Sequence, residues 1–84
     1  MNDIGTPAHQ VKDTLDREVG LVQASIDLVA SGGAVSTTVA GLRLADLVLE
    51  IVGPGASARG VLVEPLWGAD EAVTDVRVRR MDRS

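Results

Sequence analysis

Few residues of this 84-residue chain have the type and spacing that do chemistry. His9 is the single histidine. A general base needs a nucleophile or a substrate proton within hydrogen-bond reach. No second His, no Cys and no obvious Ser partner accompanies His9, so it reads as a surface residue, and a role for it would rest on the charge switch of an imidazole at about pH 6.5. Asp46 and Glu50 fall one turn apart if their segment is helical. Paired carboxylates hold divalent cations or act as acid and base, but no further oxygen ligands cluster beside these two. A solvated face is their expected role, and Asp70-Glu71 is expected to be a charged turn.

The segment from Gly53 to Gly60 (Gly-Pro-Gly-Ala-Ser-Ala-Arg-Gly) is the most suggestive stretch. Glycine-rich loops cradle phosphate with backbone amides, and Arg59 would add charge. A phosphate-binding loop, however, needs Lys and a hydroxyl after the last glycine, at the start of a helix. Gly55 and Gly60 have the spacing, but Val61 and a strand-like run follow. A connecting loop is expected. Ser31-Gly32-Gly33 fails the dinucleotide fingerprint as well, because it precedes a strand. The chain is therefore expected to be no enzyme, with no catalytic residue, metal ligand or cofactor.

Three surface features remain. Arg77, Arg79, Arg80 and Arg83 form the one local basic patch, with Arg77 and Arg79 on one strand face and the other two extending it. Such patches contact phosphates. The patch sits in an acidic chain without aromatics to stack bases, so exposed or edge-protecting charges are the plainer reading. Trp67 is the sole aromatic. It is expected to anchor the core or, alternatively, to be an interface residue, a role in which Trp is enriched. Gly41 and Arg43, with Trp67, mark where a small-molecule site would fall at the carboxyl ends of parallel strands.

Composition sets the frame for these residues. The chain has room for one domain over residues 7–80, with frayed tails expected at 1–6 and 81–84. Apolar residues make up 45%, enough to fold, and the formal charge is −4. That charge opposes a global field for nucleic acid or anionic membrane. There is no cysteine, which excludes disulfides and thiolate metal sites and fits a reducing compartment. No signal peptide is visible, apolar runs are too short to cross a membrane, and a cytoplasmic location is the default.

The elements that must position these residues follow from periodicity. Thr6-Pro7 resembles a helix start. Val11, Leu15, Val19, Val22, Ile26 and Val29 then fall on one helical face, and Ser31-Gly32-Gly33 ends it. Residues 35–40 are rich in β-branched side chains and read as a strand. Residues 42–52 fit a helical face and also alternate as a strand would. Their length and Leu/Ala/Glu content favour helix, with Gly53-Pro54-Gly55 as its breaker. Residues 61–67 read as a strand that Pro65 confines to an edge. Residues 73–80 alternate as a half-buried strand, and a turn over 68–72 pairs the two.

The expected fold class is α+β: a long N-terminal helix, then β-α-β-β, as a small three-stranded mixed sheet with helices on one face. The alternative is one helix on a four-stranded antiparallel sheet. The chain is near the lower size limit for an autonomous core and has few large side chains, which points to stabilisation by self-association. The expected function is a non-catalytic interaction or assembly role, as a homo-oligomer or with a protein partner. Nucleic-acid binding through the arginine patch and small-molecule binding near Gly41 and Arg43 are the rivals.

Overall fold

The computed structural model describes residues 8–34 and 36–81, and of Ala8 and His9 only the backbone. The chain runs α1 (Ala8–Ala30), β1 (Ser36–Ala40), α2 (Ala45–Ala58), β2 (Val61–Trp67) and β3 (Val73–Arg80). This is the expected αβαββ order in an α+β fold. The expected helix start at Thr6-Pro7 and the chain ends, apart from Met81, lie outside the described residues. The Met81 amide donates to the Gly60 carbonyl at 2.9 Å, so this residue is tied to the domain rather than part of a tail.

From Leu15 onward the apolar stripe of α1 does what its spacing predicts, whereas Val11 at its start is exposed. Val22, Ile26 and Val29 are fully buried, and Leu15 and Val19 pack against the same core. The helix ends in a paired capping motif. The Gly33 amide donates to the Leu28 carbonyl at 2.8 Å and the Gly32 amide to Val29 at 3.1 Å. Gly32 takes the left-handed conformation (φ 91°) that this cap requires. Gly33 has no room for a side chain, because a Cβ there would stand 2.6 Å from the Leu28 carbonyl oxygen.

The ambiguous segment is a helix, and it extends past its expected breaker. α2 continues through Gly53, Pro54 and Gly55 to Ala58, so the segment expected to be a connecting loop is mostly helical. The buried stripe of Ala45, Val48, Val52 and Ala56 explains this. Only a continuous helix presents Val52 and Ala56 to the same core. Pro54 leaves the Glu50 carbonyl without its helical donor, and both residues lie on the exposed face, where water reaches them.

The strands lie in the order β1-β3-β2. β1 and β2 run in the same direction, but β3 lies between them and is antiparallel to both. The sheet expected to be mixed is thus antiparallel at every hydrogen-bonded pair. The hairpin sets one edge of β3, and β1 takes the other. Both helices cover one face of this open sheet, with α1 over β1 and β3 and α2 mainly over β2. Val76 and Val78 of β3 and Val61 of β2 complete the core. Ser36, Thr38, Leu62, Glu64, Leu66, Asp75, Arg77 and Arg79 line the uncovered face.

Candidate interaction surfaces

The arginines of β3 divide between the two faces. Arg77 and Arg79 alternate with buried Val76 and Val78 and project on the uncovered face. Glu64 binds Arg79 with both oxygens, Oε1 to Nε at 2.9 Å and Oε2 to Nη2 at 3.4 Å. This bond and the positive charge of Arg79 hold the Glu64 carboxyl below its ordinary value, with a smaller contribution from Arg77. Arg77 Nε donates to Ser36 Oγ at 3.2 Å. Both contacts are diagonal across the strands.

Arg80 does not extend this patch. Its Nη2 donates to the Val29 carbonyl at 3.3 Å, which places a cation at the negative end of α1. Arg83 lies outside the described residues. Three arginines adjacent in sequence therefore perform two local tasks on opposite faces of the sheet.

The residues expected around a ligand at the strand ends are also engaged. Gly41 leaves β1 in a left-handed conformation (φ 74°), and its amide donates to Asp75 Oδ1 at 2.8 Å. The Arg43 and Leu44 amides donate to the two carboxylate oxygens of Glu18, each at 2.9 Å. Arg43 borders a shallow cavity of about 210 Å³ with Gln10, Val11, Thr14 and Leu44. Trp67 is at the same end of the sheet, but β3 separates its strand from β1. A larger open cleft of about 670 Å³ lies at the opposite end, between Ala30, Ser57, Arg59, Arg80 and Met81.

Trp67 is not in the core. It is 65% exposed and stands after an irregularity in the β2–β3 pairing that matches it with Val73. Small and branched aliphatics fill the interior without it. Among the described residues six further large apolar side chains, Val11, Leu21, Leu28, Leu47, Ile51 and Met81, are also exposed. The other candidates stay apart. Asp46 and Glu50 are exposed on α2, Asp70 and Glu71 are in the exposed hairpin turn, and the His9 side chain lies outside the description.

Two important polar contacts were not anticipated from sequence. Glu18 is 7% exposed and is the one buried charged residue among those described. Its signal was a carboxylate inside the apolar stripe of α1, between Leu15 and Val22. Asp27 forms an ion pair with Arg59, which joins the ends of the two helices. The hydrogen bond from Arg59, helped by its charge, lowers the Asp27 pKa. No sequence spacing announces this pair, whose members are 32 residues apart.

Among the described residues no helix is long and apolar enough to cross a membrane. No protein-family model, curated protein or solved structure matches this chain.

Proposed function

We propose that this chain is a non-catalytic assembly module that works by burying apolar surface against a second copy of itself. The distribution of its large apolar side chains carries this reading. Among the described residues the buried core consists of seven valines, Ile26, Leu42 and two alanines, whereas Trp67, Leu21, Leu28, Leu47 and Ile51 are on the surface. Burial of apolar area is worth about 25 cal/mol per Å², so the side chains with most to gain are those left outside. A domain of this size has a thin stability margin when alone, and association adds to it by mass action.

The arginines support this reading indirectly. Arg77 and Arg79 are held by Ser36 and Glu64, and Arg80 by the end of α1. A phosphate would have to compete with these contacts. Light scattering after gel filtration, from micromolar to nanomolar concentration, tests the proposal. An oligomer that dissociates on dilution is expected, and a monomer at every concentration overturns it.

A further inference from the structure

Resting on that reading, we infer that the second copy docks on the β1 edge, pairing β1 with β1 across a two-fold axis near Thr38. The two sheet edges differ sharply. β2 carries Pro65, Glu64 and a pairing irregularity at Leu66/Trp67, all devices that discourage strand addition. β1 reads Ser-Thr-Thr-Val-Ala, with no charge and no proline, and among the described residues pairs in unbroken register with β3 alone. Its other side is an open template for an extended partner.

The helix above this edge carries a second, independent feature. Leu21 and Leu28 are each 52% exposed, and their seven-residue separation puts them on one flank of α1. That flank faces the β1 side. Gly33, on the way into β1, packs directly against the Leu28 side chain. On the opposite flank, Asp27 reaches Arg59 at the end of α2. Every residue from Val19 to Ile26 is uncharged, so two copies of this flank meet without repulsion. Glu18 and Asp27, at either end, are committed within the protomer.

The strand and the helix agree on one axis. The chain enters β1 beside Leu28 and, after β1, passes Glu18. β1 thus runs antiparallel to α1, with Thr38 beside the middle of residues 18–28. The midpoint of Leu21 and Leu28 falls within about 2 Å of that place along α1. A two-fold there sets Leu21 of one copy against Leu28 of the other. Strands pair about 4.8 Å apart and α1 rides over β1 and β3, so the two α1 axes would lie about 10 Å apart, a normal helix-packing distance. The product is a continuous six-stranded sheet with both α1 helices packed side by side.

The chain has no native cysteine, so Thr38→Cys gives an unambiguous probe. Directly opposed residues at a two-fold strand pair approach closely enough for a disulfide. Under mild oxidation T38C is expected to form a covalent dimer, while Glu64→Cys, at the centre of the β2 edge, stays monomeric on a denaturing gel. Leu28→Glu, at an exposed position, is expected to raise the dimer dissociation constant roughly tenfold or more with an unchanged circular dichroism spectrum. An oligomer that does not cross-link through T38C and is unmoved by L28E overturns this interface and leaves self-association standing. A wild-type monomer at every concentration overturns both.

Discussion

The two helices pack on the same sheet but depend on the rest of the chain to different degrees. α1 is 23 residues long, with its own apolar stripe and a glycine cap built from its last turn. α2 is 14 residues long, contains Gly53-Pro54-Gly55 and has no side-chain cap of its own. Its entry is secured by Glu18 of α1, which accepts the Arg43 and Leu44 amides, and its end by the Arg59–Asp27 pair. Isolated helices of that length are marginal even with good formers, and Gly and Pro count heavily against this one. One helix is thus specified largely by local sequence, and the other is held in place by the first.

The largest effect should come from the core under α1. Ile26→Ala removes a fully buried side chain and is expected to cost roughly 2–4 kcal/mol, read as a lower urea midpoint. Both helices should unfold together, since α2 leans on α1. A transition in which α2 outlasts α1 would show that α2 does not depend on α1. Glu18→Ala comes next. It strands two amides from a charge-assisted bond and should cost about 2–3 kcal/mol. Hydrogen exchange sharpens the reading: α2 amides should lose more protection than those of α1, and equal loss in both helices would contradict the dependence described.

Smaller effects of opposite sign are expected inside α2. A Cβ at Gly53 or Gly55 meets no neighbouring atom within 4 Å. Gly55→Ala should stabilise by roughly 0.5–1 kcal/mol, seen as a higher melting temperature, whereas at Gly53 a new Cβ would crowd the ring of Pro54 and offset that gain. No gain from Gly55→Ala would mean that glycine serves the α2 backbone in some other way. The smallest effects lie in the acid limb. Asp27 and Glu64 are held below their ordinary values of 3.8 and 4.5 by arginine partners. A carboxylate with a lowered folded-state pKa contributes stability above its unfolded value and loses it as pH falls through the folded one. Stability should therefore be flat with respect to these groups near neutrality and decline below about pH 4. Asp27→Asn should shallow that decline by loosening α2 alone, and Glu64→Gln should do so without touching either helix.

Legibility from sequence followed the range of the interactions. The helix over residues 11–29 was readable because its stripe and Gly32-Gly33 cap are local. β3 was readable because Val76 and Val78 alternate with Asp75, Arg77 and Arg79. α2 was only half readable. Gly53-Pro54-Gly55 is a strong local stop, and burial of Val52 and Ala56 overrode it. Trp67 misled for the complementary reason: aromatic bulk usually finds the interior, but this residue follows a pairing irregularity at the end of a strand. Proximity in sequence groups Arg80 with Arg77 and Arg79, but strand alternation sends it to the other face.

The sequence alone determined the class of the fold, the order of its elements, the long first helix and the cysteine-free, nearly aromatic-free character of the chain. These follow from composition and from repeats of two and 3.6 residues, which act over a few positions. Tertiary structure decided that β3 separates β1 from β2, that Glu18 secures the start of α2 and that Trp67, Leu21 and Leu28 face outward. Each of these depends on which surfaces are already covered when distant segments meet, and no local pattern carries that information.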